Sequence, residues 1–136
     1  MPPILAPVFV QVLITFYLLA RIAASRTSSA VTDPTLLKRG ALDANAWPEQ
    51  AQKFANCYRN QFELPVLFYL AVLLWMTTGG AGPVMLGLAW TFVALRIIHM
   101  LIHTGSNNVR HRFYAFAAGM LAVLAMWVVL AVHLIT

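Results

Sequence analysis

The chain has 136 residues, of which 61% are hydrophobic and only 10% charged, a composition typical of an integral membrane protein and not of a soluble domain. Its net charge of +5 invites a nucleic-acid interpretation, but a basic surface for nucleic acid must face water, and most of this chain is too apolar to supply one. A single cysteine, Cys57, excludes an internal disulfide. We therefore expect one membrane domain and no nucleic-acid partner.

Four apolar segments are each long enough to cross about 30 Å of hydrocarbon as a helix. No strand pattern competes with them, so the sequence predicts an all-α, integral membrane four-helix bundle that occupies residues 1–136 as one domain. The first segment lacks the positive start of a secretory signal, and we expect it to be a retained anchor. The predicted spans are Ile4–Ala24, Cys57–Met76, Val84–His103 and Phe113–Ile135.

The connections between the spans differ in length. The first, residues 25–56, is long, and Pro48 followed by Glu49 suits the first turn of a helix. The second membrane helix is therefore expected to begin in water and continue into the bilayer. Residues 78–83 and 104–108 are turns by composition, and the former predicts an antiparallel hairpin of the second and third spans.

Positive charge is distributed unequally over the two sides of the membrane. Lys and Arg flank the first and third connections, whereas the turn at residues 78–83 and both termini carry none. By the positive-inside rule, the first and third connections face the cytoplasm and both chain ends lie on the opposite side. We expect a multi-pass protein, in a bacterial inner membrane, surrounded by membrane lipids.

The second span must include polar residues, because its apolar run is too short to cross a membrane alone. The uncharged run from Leu64 to Met76 is shorter than the roughly 20 residues that a spanning helix needs. A glycine-rich turn follows it, so the helix must extend backward through Arg59, Asn60 and Glu63. Ionisable groups inside a bilayer cost at least about 2.5 kcal/mol each, and they indicate a functional site.

The third span carries Arg96, His99 and His103 at i, i+3 and i+7, which places them on one face of a helix. Arg96 lies about 10 Å inward from His103 along a helix, too deep for its side chain to reach the headgroups. Glu63 is the only acid inside any predicted span. The sequence therefore predicts an ion pair between Glu63 and Arg96.

The remaining cations of this half are Arg21, Arg59, Arg110 and Arg112, and no acid within the spans is left to balance them. Guanidinium groups suit carboxylates, so the pattern predicts a site for a small, multiply carboxylated cytosolic ligand. Membrane anchoring is the alternative role for the arginines at helix ends. A polar clasp between helices is the alternative for the deeper groups.

A metal site is a further alternative. His99 and His103 have the i, i+4 spacing of metal ligands, and Glu63 or Cys57 would complete the set. The surrounding arginines would repel a divalent cation, so we expect no metal.

The segment Arg59–Pro65, followed by Arg96–His99 and later by Arg112, resembles the MAPEG family, the membrane-associated proteins in eicosanoid and glutathione metabolism. The similarity covers essentially the whole chain in length, number of spans and order of motifs, and the pattern is like that of microsomal glutathione transferases. It implies a homotrimer of four-helix subunits that binds glutathione between neighbouring protomers near the cytoplasmic face.

The resemblance also implies roles for individual residues. Arg59, Asn60 and Glu63 would hold the tripeptide, with Glu63 near its amine, and Arg112 would stabilise the thiolate as the catalytic residue. The other residues assigned to the substrate site are Arg21 from the adjacent subunit, Arg96, His99, His103, Arg110 and Tyr114.

Two positions depart from the family pattern. His103 stands where family enzymes often have tyrosine, and Phe113 stands where some have a serine beside the catalytic arginine. Tyr114 offers a hydroxyl nearby. The expected function is a glutathione transferase or peroxidase that uses glutathione as co-substrate and acts on lipophilic electrophiles or hydroperoxides. The alternative is a non-enzymatic membrane scaffold or regulator that binds glutathione or another small anion.

Overall fold

The computed structural model describes residues 1–135, and over these residues it is all-helical without a strand, as predicted. The α-helices are α1 (Leu5–Thr32), α2 (Leu36–Leu42), α3 (Glu49–Arg59), α4 (Leu64–Thr77), α5 (Pro83–Thr104) and α6 (Val109–Ile135), with 3₁₀ turns at Ala44–Ala46 and Asn60–Phe62.

Four helical segments are long and apolar enough to cross a membrane, which confirms the predicted number of candidate spans. They are α1, the continuous stretch Glu49–Thr77 that contains α3 and α4, α5, and α6. The outer faces of these helices carry many exposed apolar side chains, among them Phe9, Leu13 and Phe16 on α1. Apolar surface of this extent requires a lipid or protein neighbour.

The first helix runs to Thr32, beyond the predicted end at Ala24. The residues of its last turns are small and polar. Their hydroxyls donate to carbonyls about one turn earlier, as Ser29 Oγ does to the Ser25 carbonyl at 2.8 Å. The helix ends at Thr32, and Asp33 is its C-cap residue. There the Thr35 hydroxyl donates to the carboxylate at 2.6 Å, which lowers the pKa of Asp33, and Arg39 adds an ion pair at 3.2 Å.

A small second core covers the end of α1. Leu36, Trp47 and Ala51 are buried together, apart from the main core. The Trp47 indole donates to the Gly40 carbonyl at 3.3 Å, and the Arg26 guanidinium lies 5.0 Å from the centre of the Trp47 ring. A Cβ atom at position 40 would overlap the indole, so glycine is required there.

The second spanning segment is interrupted between α3 and α4. Pro65 occupies the first turn of α4 and has no amide hydrogen to donate to the residue 61 carbonyl, so an uninterrupted helix is disfavoured here. The chain passes through the 3₁₀ turn Asn60–Phe62 and leaves helical conformation at Glu63, where φ is −102° and ψ is −105°. This break separates the polar α3 from the apolar α4.

The core is formed mainly where α5 and α6 lie side by side, with α1 against α3 and α5, and α4 against α6. The rings of Phe68 on α4 and Phe92 on α5 stack at 4.7 Å, and Trp127 on α6 donates to the Leu67 carbonyl at 3.3 Å. These contacts anchor α4 to the rest of the bundle, so the polar turn that precedes it has a fixed place.

Candidate functional site

An open cleft of about 580 Å³ lies where α3, the 3₁₀ turn Asn60–Phe62, α5 and the start of α6 meet. Its volume is within the range of small-molecule sites, roughly 300 to 1,000 Å³. The cleft has a polar side on α3 and α5 and a mixed side on α6. Its lining residues are Asn56, Arg59, Asn60, Glu63, His99, His103, Val109, Arg112, Phe113 and Phe116.

The α3 side brings together three of the predicted binding residues. Arg59 is exposed and donates from Nη2 to the Asn56 side-chain oxygen. Asn60 and Glu63 follow in the helix break, and the Glu63 carboxylate is exposed. One cation, one amide and one carboxylate therefore face the cleft from a single turn of backbone.

The predicted ion pair between Glu63 and Arg96 is wrong in this structure. The ion pairs within residues 1–135 are Arg39 with Asp33 and Lys53 with Glu49. Instead, the Arg96 guanidinium donates from Nη2 to the Asn60 carbonyl at 3.1 Å. The physical reason is the break before Pro65, which turns the Glu63 side chain toward the cleft and presents a backbone carbonyl to Arg96.

Arg96 lies behind the cleft and does not line it. It is only 1% exposed, and its Nε and Nη1 atoms have no hydrogen-bond partner among residues 1–135. A buried guanidinium with unpaired nitrogens is costly. Arg96 acts on the site through the Asn60 backbone, so the structure does not place it in contact with a ligand in the cleft.

His99 and His103 form the floor of the cleft on α5. They are one turn apart, their ring centres are 5.5 Å apart, and both are almost fully buried in the bundle. The Nδ1 atom of each ring has no hydrogen-bond partner within the described residues. Both nitrogens are buried. Across residues 1–135 no group of three His, Cys, Asp or Glu residues is placed to hold a metal ion.

Arg112 reaches the cleft from the first turns of α6. Asn108 caps this helix, since its side-chain oxygen accepts from the Arg110 and His111 amides at 3.1 and 3.2 Å. The preceding residue, Asn107, has a left-handed backbone with φ of 52°, a conformation that asparagine tolerates well. Its side-chain oxygen accepts from Arg112 Nη1 at 2.8 Å and so orients the guanidinium.

The turn that carries Asn107 is fixed by α3. Gln50 donates to the Thr104 carbonyl at 3.0 Å, and the Lys53 ammonium lies 3.5 Å from the Gly105 carbonyl. Both carbonyls belong to the end of α5, where helix carbonyls lack partners from their own helix. These two contacts join the α3 side of the cleft to the side that holds Arg112.

Besides Arg96, three predicted site residues lie away from the cleft in the single chain. Arg21 is exposed on α1, with its guanidinium 4.9 Å from the centre of the Phe54 ring. Arg110 is exposed and does not line the cleft, although it lies only two residues before Arg112. Tyr114 is exposed, with its ring beside that of Phe113.

Four lining residues were not predicted as site residues, namely Asn56, Val109, Phe113 and Phe116, of which Phe113 was noted only as a departure from the family pattern. Asn56 precedes Asn60 by one helical turn, and Phe116 follows Arg112 by one turn, so helical periodicity from the predicted residues would have found both. Val109 carries no such signal, because its place depends on where α6 begins.

Comparison with known proteins gives one finding. A family model described as "MAPEG family" matches residues 4–132 of the chain. No curated protein and no solved structure matches it.

Proposed function

The chain belongs to the MAPEG family, and from this premise we propose that it binds glutathione in the cleft between α3, α5 and α6. We further propose that it catalyses transfer of the glutathione thiolate to a lipophilic electrophile, or reduction of a lipophilic hydroperoxide. The observation that carries this proposal is the placement of Arg112, oriented by Asn107, opposite Arg59, Asn60 and Glu63.

The charge of the cleft suits glutathione. Among the described residues that line the cleft, Arg59 and Arg112 are the cations and Glu63 is the one carboxylate. Glutathione carries two carboxylates and one amine, so forked guanidinium donors complement its acidic ends and a carboxylate complements its amine. The imidazole rings of His99 and His103 add polar groups on the floor.

Arg112 provides the chemical step in this proposal. A guanidinium close to the glutathione sulfur favours the thiolate over the thiol by charge proximity, and the thiol proton passes to water. In a transfer reaction the sulfur forms a bond to the electrophilic carbon, and the leaving group departs with its bonding electrons. With a hydroperoxide, the sulfur attacks the outer oxygen, the O–O bond breaks and an alcohol leaves. A second glutathione then reduces the resulting sulfenic acid to disulfide and water.

The α6 side of the cleft supports a lipophilic acceptor. Val109, Phe113 and Phe116 lie beside Arg112 and form an apolar surface next to the polar side. Phe113 is 62% exposed, so its ring is available to a ligand. An acceptor that arrives through the bilayer would meet this surface first. We propose a homotrimer in the membrane, with the cleft at the cytoplasmic side and Arg21 supplied by the neighbouring subunit.

A non-enzymatic binding role is the second candidate. The position beside Arg112 is Phe113, and the Tyr114 hydroxyl lies outside the cleft lining, so neither side chain brings a hydroxyl to the sulfur. A scaffold or regulator that holds glutathione without turnover would have such a site.

One experiment separates the two candidates. The detergent-purified protein is assayed with glutathione and either a chlorinated aromatic acceptor or an organic hydroperoxide, and its thermal unfolding is followed with and without glutathione. Stabilisation by glutathione together with product formation supports the enzyme. Stabilisation without product supports the scaffold. No stabilisation at millimolar glutathione and no product contradicts both.

A further inference from the structure

Gln61 is buried in the 3₁₀ turn between two residues that face the cleft, yet it does not line the cleft itself. It is 2% exposed. Its Nε2 atom donates to the Cys57 carbonyl at 3.0 Å, one turn back in α3. Its Oε1 atom accepts a hydrogen bond of 2.8 Å from Nε2 of Gln11, a fully buried residue in the second turn of α1. The turn is thereby connected to a different helix.

The neighbouring residue is held from a third helix. Arg96 on α5 donates to the Asn60 carbonyl at 3.1 Å. Two consecutive residues of the turn are thus bound by side chains from α1 and α5, and we call this set of hydrogen bonds from Gln11, Gln61 and Arg96 the turn clasp. It acts where Pro65 deprives the backbone of a regular helical bond.

The Gln11–Gln61 pair is a poor choice for stability alone. Gln11 Oε1 is buried without a hydrogen-bond partner among residues 1–135. Apolar residues of similar volume would avoid this cost at both positions, because replacing both partners of a buried polar pair is often neutral or stabilising. A costly polar pair beside a functional site indicates that the geometry of the pair is needed for the function of that site.

We propose that Gln61, held by Gln11, is a positioning residue that fixes the 3₁₀ turn so that Asn60 and Glu63 face the glutathione cleft. This inference rests on the proposed function. Without the clasp, the turn between α3 and α4 has alternative conformations in which the Asn60 amide and the Glu63 carboxylate leave the cleft together. Arg112 is on α6 and is not touched by the clasp, so the step that activates the sulfur is unaffected.

The test uses the full-length protein in detergent with Gln11→Met, Gln61→Met and the double variant, because methionine matches glutamine in length and shape. Gln52→Met is the matched control. Gln52 is also a glutamine whose amide binds backbone carbonyls, those of Asn45 at 3.2 Å and Trp47 at 2.7 Å, but it lies outside the cleft and the clasp. Hydrogen exchange of the peptide that covers residues 60–70 is measured together with glutathione kinetics.

We expect each single clasp variant to exchange the amides of the turn about tenfold faster than the parent, and to raise KM for glutathione about tenfold, since one buried hydrogen-bonding group is left unpaired. We expect kcat and KM for the acceptor to stay within about twofold, and the double variant to be no worse than either single one. Gln52→Met should leave both the exchange and KM for glutathione unchanged.

A role in folding alone would give another result. It would lower the fraction of active protein, and therefore kcat, with KM for glutathione unchanged, and this outcome overturns the proposal. Unchanged exchange in residues 60–70 overturns it as well. If the parent protein binds no glutathione, the proposed function fails, but faster exchange in the clasp variants still supports the positioning of the turn.

Discussion

Replacing Arg112 by leucine tests the chemical role of the cleft. The guanidinium is half-buried at the wall of the cleft and is oriented by Asn107. With an effective dielectric constant of about 40 and a separation of about 5 Å from the sulfur, Coulomb attraction is roughly 1.7 kcal/mol. A free thiol has a pKa of about 8.5, so losing this attraction lowers the thiolate fraction near pH 7 by about 10- to 15-fold.

The assay is the pH dependence of kcat for transfer of glutathione to a chlorinated aromatic acceptor. In the Arg112→Leu variant we expect kcat at pH 7 to fall by about 10- to 15-fold, and the loss to shrink to about twofold near pH 8.5 and to almost nothing near pH 9.5, where the thiol ionises unaided. Removing the cation raises the pKa of the bound thiol, so the profile of the variant is displaced toward higher pH.

Arg110→Leu is the matched control. It removes the same side chain from the same helix two residues earlier, at an exposed position outside the cleft lining. We expect its rate to be unchanged at every pH. A loss in Arg112→Leu that is equally large at pH 7 and pH 9.5, or an equal loss in Arg110→Leu, would refute the assignment of the thiolate to Arg112.

Three further substitutions test the geometry. Glu63→Gln should weaken glutathione binding about tenfold in calorimetry. It should change the free energy of unfolding by less than about 0.5 kcal/mol, because Glu63 forms no ion pair in the described structure. A large loss of stability would show instead that Glu63 has a structural role. Asn108→Ala should lower the free energy of unfolding by about 1 kcal/mol, through loss of the α6 cap, and Asn108→Asp should retain it. Gly80→Ala should destabilise the protein by about 1 to 3 kcal/mol in a denaturation assay, because the new Cβ overlaps the buried Trp75 ring. Gly119→Ala is the control and should be neutral, because its new Cβ would lie 3.9 Å from the nearest atoms, those of the Phe92 ring.

The sequence predicts the architecture well because the bilayer imposes a simple rule on length and polarity. Segments of about 20 residues with few charges identify four candidate spans, and residues 1–135 contain four helical segments that are long and apolar enough to cross a membrane. The extension of α1 to Thr32 was not predicted, because hydropathy detects only the apolar part of a helix and not the polar turns that continue it. The small core of Leu36, Trp47 and Ala51 depends on contacts distant in sequence.

Six of the ten predicted site residues lie around one cleft, and their role in binding stays a prediction. Arg59, Asn60, Glu63, His99, His103 and Arg112 do line one cleft. The predicted pairing of Glu63 with Arg96 was wrong because it rested only on which charged residues the spans contain. The backbone break before Pro65 decides where the Glu63 carboxylate points. The predicted site also included residues at the same polar end of the bundle that do not line the cleft, namely Arg21, Arg110 and Tyr114. Spacing along a helix does not distinguish these residues from those that line the cleft.

A structure of the protein solved with glutathione in a membrane-like detergent or nanodisc tests the central claim most directly. We expect the tripeptide between Arg59, Asn60 and Glu63 on one side and Arg112 on the other, with its sulfur next to the Arg112 guanidinium. Glutathione bound elsewhere, or a cleft that stays empty at saturating glutathione, would contradict the account.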